Sequence, residues 1–99
     1  MSLEDYTSTV REKVGEDSGL DAKIKFVFND GGVLFIDGQS RPNRVSNDDE
    51  EAHCTVKLSS EDFGSLLRRE LDPMAAFMGG KLKIEGDMGV AMKLGRLFS

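Results

Sequence analysis

Hydrophobic and polar positions in the first third of the chain follow the period of a helix and then that of a strand. Ser2 and Asp5 resemble a capping box before apolar residues at helical spacing. This pattern predicts a first helix that ends near Gly15, with a loop at residues 16–19. Residues 22–28 alternate between apolar and polar side chains, which is typical of a strand with one wet face.

A turn and a second strand follow directly, so these two strands are predicted to form a hairpin. Residues 29–32, Asn-Asp-Gly-Gly, are a strong turn signal. Residues 33–36 are apolar on both faces, and this strand is therefore predicted to be central. The signal then weakens: residues 44–46 predict a short edge strand, and residues 47–51 an acidic, solvated loop.

A further amphipathic strand and a helix are predicted between residues 53 and 71. Cys54 falls on the apolar face of the strand and His53 on its wet face. Ser59 and Asp62 form a second capping-box pattern, which indicates the start of a helix. The predicted apolar stripe of this helix consists of Phe63, Leu66, Leu67 and Leu71.

The last third predicts a short helix, a strand and a closing helix. Asp72 is a suitable N-cap for a helix that starts at Pro73 and ends at residues 79–80. The apolar face of this helix consists of Met74, Phe77 and Met78. The apolar side of the following strand consists of Leu82 and Ile84, and its polar side of Lys81, Lys83 and Glu85.

The closing helix is the most apolar segment of the chain. Gly86 is predicted to turn the chain and Asp87 to cap one helix over residues 88–98, in which only Lys93 and Arg96 are charged. A helix that is apolar nearly all round is not an ordinary surface helix. We therefore expect it to be covered by protein, by a partner or by a ligand.

The order of these elements predicts an α+β domain that includes all of residues 1–99. Strands come first and helices are grouped later, which favours a mainly antiparallel sheet with helices on one face. Because the final strand follows a helical crossover, we expect one parallel pairing there.

Composition and charge narrow the class of protein. A chain of 99 residues with 38% hydrophobic and 31% charged residues is typical of a globular domain. The net charge of −5 is uneven, with −6 in residues 1–51 and +1 in residues 52–99. The acidic balance argues against nucleic-acid binding, and leaves at most a transient contact between the C-terminal half and an anionic membrane.

Candidate chemistry is sparse. The one histidine and the one cysteine are adjacent on a strand, so they point to opposite faces and cannot form a catalytic pair. We predict no catalytic residue, no metal site and no cofactor, and hence a protein that is not an enzyme. A single cysteine fits a reducing compartment, and no apolar run is long enough to span a bilayer, so a cytoplasmic location is expected.

Methionines are concentrated in the last third of the chain. They are flexible and are over-used where a surface must fit variable apolar partners. Pattern alone favours a core role for them over a ligand cavity, although the apolar closing helix favours a covering lipid or a second subunit. The four methionines are Met74, Met78, Met88 and Met92.

Several motifs of the second half resemble the sterol carrier protein type 2 family. They are residues 52–56 and 62–63, residues 72–77 (Asp-Pro-Met-Ala-Ala-Phe), residues 80–89 (Gly-Lys-Leu-Lys-Ile-Glu-Gly-Asp-Met-Gly) and residues 91–94 (Ala-Met-Lys-Leu). The resemblance is dense over about the last half of the chain and weaker before it. It implies a five-stranded sheet covered by helices, an apolar tunnel between them, and a non-enzymatic carrier of fatty acids, fatty acyl-CoA or sterols.

The resemblance also implies a set of tunnel residues. A polar headgroup would lie near the mouth, beside Lys81, Lys93 or Arg96. The residues implied to bind lipid are Phe63, Leu66, Leu67, Met74, Phe77, Met78, Leu82, Ile84, Met88, Ala91, Met92 and Leu94.

Three features depart from the family pattern. His53 stands where an acidic residue is common, and residues 68–70 replace a segment that often contains glycine. The sequence ends in Leu-Phe-Ser, which is not a peroxisomal targeting tripeptide. We therefore expect a short stand-alone member of bacterial type.

Two hypotheses for function follow. The first is intracellular lipid binding and transfer in an apolar tunnel. The alternative is an interaction or dimerisation module, in which the apolar closing helix packs against a second copy or another protein without a physiological lipid. Saturable binding of one lipid per chain distinguishes the first from the second.

Overall fold

A computed structural model describes residues 2–15, 19–40 and 42–98, apart from the side chains of Leu94 and Arg96. The loop predicted at residues 16–19 lies outside this description except for Gly19. The elements are helix α1 (Leu3–Val14), strands β1 (Lys23–Phe28), β2 (Val33–Asp37), β3 (Arg44–Ser46) and β4 (Cys54–Leu58), helices α2 (Ser60–Leu67) and α3 (Pro73–Met78), strand β5 (Lys83–Gly86), and helices α4 (Met88–Ala91) and α5 (Leu94–Leu97).

The strands form one five-stranded sheet in the order β3-β2-β1-β4-β5. The hairpin β1–β2, the edge strand β3 and the mainly antiparallel pairing confirm the predicted α+β class. The interior position predicted for β2 is confirmed, although β1 is the middle strand. Leu34 and Ile36 of β2 are fully buried on one face and Phe35 is buried on the other.

The prediction that the last strand pairs in parallel with its neighbour is wrong. β5 is antiparallel to β4, and the parallel pair joins β4 to β1. A single crossover helix carries the chain back along the sheet and delivers a parallel strand. Here two helices, α2 and α3, separate β4 from β5. After α3 the chain is back at the end of the sheet where β4 finished, so β5 runs in the opposite direction to β4.

The core lies on the face of the sheet to which every second side chain of β1 points. Ile24 and Phe26 are fully buried there, while Lys25 on the opposite face forms an ion pair with Asp49 of the acidic loop at 2.8 Å. Lys25 remains only partly exposed in that pair. The loop at residues 47–51 therefore lies against the polar side of the sheet and leaves the other side to the helices.

The ring of Phe63 joins the helices to the sheet. It makes edge-to-face contacts with Tyr6 of α1, with Phe26 and Phe28 of β1, and with Phe98 after α5, at centroid distances of 5.3, 5.0, 5.2 and 5.9 Å respectively. Such aromatic pairs add roughly 0.5–1.5 kcal/mol each to the burial of the rings. Elements from both ends of the chain thus meet at one side chain.

Helix starts agree closely with the sequence. Ser2 and Asp5 form the predicted reciprocal capping box of α1. Ser59 accepts a hydrogen bond from the N–H of Asp62 at the start of α2, and Asp72 accepts one from Ala75 at the start of α3, with Pro73 as its first residue. Side-chain oxygens at these positions satisfy N–H groups that the first turn of a helix leaves unpaired.

Two predicted helices are shorter than expected. α2 ends at Leu67 and Arg69 has a positive φ of 61°, so Leu71 is not part of its stripe, although it still packs against the core. The closing helix over residues 88–98 is two four-residue helices, α4 and α5, separated at residues 92–93. Burial of Val90, Ala91, Leu97 and Phe98 draws the two pieces separately onto the core.

No helix among the described residues is long and apolar enough to cross a membrane. The longest, α1, has 12 residues.

Gly86 is expected to be indispensable, because its φ is 103° and a Cβ atom there would collide with the backbone oxygen of His53. We expect Gly86→Ala to lower the free energy of unfolding by about 3 kcal/mol or more, from strain plus overpacking. Gly80→Ala is the matched control: φ is 78° but nothing lies near its Cβ, so only about 1–2 kcal/mol of strain is expected. Equal losses in urea unfolding would refute the collision.

Acid is expected to weaken the contact between the hairpin turn and α2. The carboxylate of Asp30 accepts hydrogen bonds from the hydroxyl and the backbone N–H of Ser60 at 2.5 and 3.0 Å, and these bonds lower its pKa. A lowered pKa in the folded state gives stability that is present above about pH 4 and is lost as the pH falls through the folded pKa.

Asp30→Asn is therefore expected to be less stable than the parent at about pH 6, with the difference shrinking towards about pH 3. Asp48→Asn, which alters a carboxylate without a hydrogen bond or ion pair among the described residues, controls for net charge. A parent-to-mutant difference that stays constant in urea unfolding over this range would contradict the assignment.

Candidate functional site

An apolar cavity of about 180 Å³ opens at the surface where α3, β5, α4 and α5 meet. It lies beside the edge strand β5 and away from the β1–β2 hairpin. Its walls consist of Asp72, Pro73, Met74, Phe77, Leu82, Ile84, Met88, Ala91, Met92 and Gly95.

Local structure explains why these side chains converge. Met74 and Phe77 are three residues apart on α3 and therefore share a face. Leu82 and Ile84 are two residues apart and point to one side of the strand. Gly86 then reverses the chain, and Asp87 caps α4 by accepting hydrogen bonds from the N–H groups of Gly89 and Val90 at 2.8 and 3.3 Å.

The cavity is lined by apolar side chains that remain open to solvent. The exposed fractions are 57% for Met74, 39% for Phe77, 50% for Met88 and 78% for Met92. Leu82 at the floor is buried. Methionine has three rotatable bonds and a polarisable sulfur, so these walls adapt to the shape of an apolar ligand.

The polar groups near the cavity have structural partners. The carboxylate of Asp72 accepts a hydrogen bond from the N–H of Ala75 at 3.0 Å, so it is engaged in capping α3. Lys93 donates from Nζ to the carbonyl oxygen of Leu20 at 3.1 Å, which ties the α4–α5 junction to the loop before β1. Lys81 is exposed, while the side chain of Arg96 lies outside the described residues.

His53 and Cys54 are held apart as the strand pattern predicts. His53 is exposed, and its Nδ1 accepts a hydrogen bond from the N–H of Lys23 at 2.9 Å. Cys54 is fully buried in the core, and burial, together with the charge of Asp87, raises the pKa of its thiol. A buried thiol with a raised pKa is a poor nucleophile.

Among the described residues, no cluster of three or more His, Cys, Asp or Glu side chains could hold a metal ion.

The structure brings together most of the residues that the resemblance implied. Seven of them line the cavity: Met74, Phe77, Leu82, Ile84, Met88, Ala91 and Met92. Four others lie elsewhere. Phe63 and Leu66 are completely enclosed in the core, Leu67 packs against that core, and Met78 is 80% exposed outside the cavity. The side chain of Leu94 lies outside the described residues.

The sequence did not identify three residues of the cavity wall. The pattern at Asp72 and Pro73 predicts only a helix start, and their position at the cavity wall has no separate sequence signal. Gly95 was part of a helix predicted to be continuous. It lies at the wall in α5, after the break at residues 92–93.

An α+β fold with an open apolar cavity is typical of domains that bind apolar ligands. The chain belongs to the SCP-2 sterol transfer family, whose sequence model matches residues 4–99. Membership of this family implies lipid binding or transfer.

Two curated human relatives are similar over different parts of the chain. Sterol carrier protein 2 is 47% identical over 53 residues, which are 54% of this chain and 10% of that protein. Hydroxysteroid dehydrogenase-like protein 2 is 29% identical over 104 aligned positions, which cover 99% of this chain and 25% of that protein. The chain thus spans a quarter or less of the length of these relatives.

The fold is also that of a solved sterol carrier domain. The solution structure of sterol carrier protein domain 2 of Helicoverpa armigera matches with a TM-score of 0.76 and 26% identity, over 97% of this chain and 84% of that one. This match agrees with the five-stranded sheet and the placement of its helices.

Gly95 offers a test of the cavity itself, since a Cβ atom there meets nothing within 4 Å. We expect Gly95→Leu to occupy part of the cavity and to weaken uptake of a fluorescent apolar dye about tenfold, the equivalent of about 1.4 kcal/mol. Gly95→Ala is the control, with the same gain in helix propensity and little added volume. Equal dye binding by both variants would show that Gly95 does not border the binding space.

Proposed function

We propose that this chain is a non-enzymatic carrier that binds one lipid by burying its apolar chain in the cavity between α3, β5, α4 and α5. The observation that carries this proposal is an open cavity walled by methionine, phenylalanine and aliphatic side chains in a member of the SCP-2 sterol transfer family. The ligand class is a fatty acid, a fatty acyl-CoA or a sterol-like molecule.

The free energy of burial sets a minimum length for the ligand. Each methylene group removed from water contributes about 0.8 kcal/mol, so eight contribute about 6 kcal/mol before the ordering of the chain is subtracted. That sum corresponds to a dissociation constant between about 1 mM and about 1 µM. Useful affinity therefore favours a long acyl chain or a ring system over a short acid.

The volume of the cavity indicates that the ligand widens it. About 180 Å³ is smaller than the roughly 300–1,000 Å³ of ordinary ligand pockets. The walls can yield because Met74, Met88 and Met92 are at least half exposed and have little packing to lose. We infer that these side chains move outwards and lie along the bound chain.

The headgroup of the ligand stays at the opening. Lys81 is exposed just after α3, and its ammonium group has no ion-pair partner among the described residues. A carboxylate or phosphate near Lys81 keeps its hydration while the apolar chain is buried. This arrangement favours an anionic lipid over a neutral sterol.

A carrier role needs no chemical step, and the residues at hand support that interpretation. His53 bonds to the backbone of Lys23, and Cys54 is enclosed in the core. A cytoplasmic location stays a prediction, as does the single-domain assignment of residues 1–99.

The first test is a titration of delipidated protein with a fluorescent fatty acid, followed by displacement with fatty acyl-CoA and with a sterol. We expect saturation near one ligand per chain and competition by both acyl ligands. A flat titration of folded protein would overturn the carrier proposal and favour an interaction module.

Phe77→Asp is expected to abolish this binding, because it places a carboxylate in the apolar wall. Met78→Asp introduces the same charge at the next residue of α3, but outside the cavity, and is expected to bind nearly as well as the parent. Circular dichroism and urea unfolding establish that both variants are folded. Equal loss, or no loss, in the two variants would contradict the proposed position of the ligand.

A further inference from the structure

The two outer strands of the sheet differ in how their free edges are covered. The edge of β3 lies against α1, and Arg11 donates from Nε and Nη2 to the carbonyl oxygen of Val45 at 3.3 and 3.1 Å. Among the described residues, no side chain donates to the edge of β5 in this way, and Lys83, Glu85 and Gly86 are exposed. An open edge of this kind is a template for pairing with another strand.

The pairing of β5 with β4 determines which backbone groups point outwards. The N–H of Asp87 donates to the carbonyl oxygen of His53 at 2.8 Å, one step beyond the last pair of the ladder, Cys54 with Gly86. Pairs that exchange hydrogen bonds alternate with pairs that do not along two antiparallel strands. The odd-numbered residues of β5 therefore bond to β4, and the even-numbered ones face the open edge.

The groups that face the open edge have no hydrogen bond among the described residues. They are the N–H groups of Ile84 and Gly86 and the carbonyl groups of Leu82, Ile84 and Gly86. The N–H of Leu82 differs from them, since it donates to the carbonyl oxygen of Ala76 at 3.4 Å. Donors and acceptors thus alternate along the open edge, as an added strand requires.

Charge on the outer face of β5 is unbalanced at one position. The carboxylate of Glu85 pairs through Oε2 with Lys57 at 2.8 Å. The hydrogen bond and the charge of Lys57 lower the pKa of Glu85, and the charge of Lys83 contributes less. Lys83 itself stands directly opposite Lys57 in the ladder, and like charges in that position destabilise a sheet. Lys83 therefore gains from a further carboxylate beside it.

We propose that the open edge of β5 pairs with the same edge of a second copy, antiparallel and about a twofold axis at Ile84, so that two five-stranded sheets join into one. Lys83 of each copy then lies directly opposite Glu85 of the second copy. The N–H of Ile84 donates to the carbonyl of Ile84 in the second copy, and that of Gly86 to the carbonyl of Leu82. This inference goes beyond the carrier function and does not depend on it.

The charges select this register and favour a second copy as the occupant. Moving the axis by one residue in either direction places Lys83 opposite Lys83, or Glu85 opposite Glu85, of the second copy. Both are like-charge pairs, which are destabilising. A twofold contact must be complementary to itself, and a lysine and a glutamate placed symmetrically about Ile84 meet that condition.

The two cavities become neighbours in this arrangement. Ile84 lines the cavity, and its side chain points to the face of the sheet opposite to Lys83 and Glu85. In the joined sheet, Ile84 of each copy lies beside Ile84 of the second copy, and the helices of both copies lie on one side. Each copy thus places an apolar side chain at the border of the other cavity.

The experiment is sedimentation equilibrium of delipidated protein from about 10 µM to about 1 mM. The shared edge is short, so we expect a reversible dimer with a dissociation constant on the order of 100 µM. Protein that stays monomeric over this range would overturn the proposal and favour an extended segment of another protein as the occupant.

Exchange of backbone amide protons locates the contact. The N–H groups of Ile84 and Gly86 are expected to exchange about fourfold more slowly at the highest concentration than at the lowest, because pairing covers them. The N–H groups of Lys83 and Glu85 bond to β4 and should be equally protected at both concentrations. A dimer without slower exchange at Ile84 and Gly86 would overturn the proposed edge.

Exchanged charges test the register. Lys83→Glu and Glu85→Lys each place like charges opposite one another, and each alone should weaken dimerisation at least about tenfold. An equimolar mixture of the two variants restores opposite charges at both positions and should associate nearly as well as the parent. Lys13→Glu makes the same change of net charge at an exposed position of α1 and should have little effect. No recovery in the mixture, or an equal loss in Lys13→Glu, would overturn the register.

Two further measurements separate this inference from the carrier function. Circular dichroism and urea unfolding establish that the variants are folded. Since the side chain of Lys83 points away from the cavity, monomeric Lys83→Glu is expected to take up the fluorescent fatty acid as the parent does. A flat titration of a parent that dimerises would refute the carrier and not the shared edge.

Discussion

The packing of aromatic rings around Phe63 is the constraint on which the rest of the structure depends. This ring contacts Tyr6, Phe26, Phe28 and Phe98, so α1, the middle strand, α2 and the C-terminal residues share one centre. Replacing it by a smaller side chain would open a void that four elements could not close together. The centre of the sheet is filled in this way, and the apolar cavity lies to one side of it, beside β5.

The cavity is thus a consequence of where the core stops. Side chains on β1, β2 and β4 that face the helices are completely buried, and large aromatic side chains pack over them. Beyond β4 the sheet has one more short strand, and the covering elements are α3, α4 and α5, each of four to six residues. Helices this short have little stability of their own: α3 and α4 are held by their caps and their contacts, and α5, which has no side-chain cap, by its contacts. An adaptable site is more easily built there than in the centre.

Sequence reasoning succeeded where the chemistry is local. Ser2, Ser59, Asp72 and Asp87 cap helices because each needs only the next few N–H groups, and the hairpin follows from a turn and two patterned strands. The break at residues 92–93 could not be predicted, since an unbroken apolar pattern does not reveal that its two halves pack separately. The same limitation explains Phe63: an apolar stripe predicts burial, but only the three-dimensional packing distinguishes a closed core from an open cavity.

The junction between α4 and α5 has a further meaning for the shape of the molecule. α4 is fixed at its start by Asp87, whose backbone N–H donates to His53 at 2.8 Å, and α5 is fixed at its end by the buried ring of Phe98. Between these two anchors stands Met92, which is 78% exposed. Lys93 beside it donates to the carbonyl oxygen of Leu20 at 3.1 Å, so the segment is held at three points and not only at its two ends. Any change of shape at this wall therefore falls to the exposed side chain of Met92 and not to the backbone.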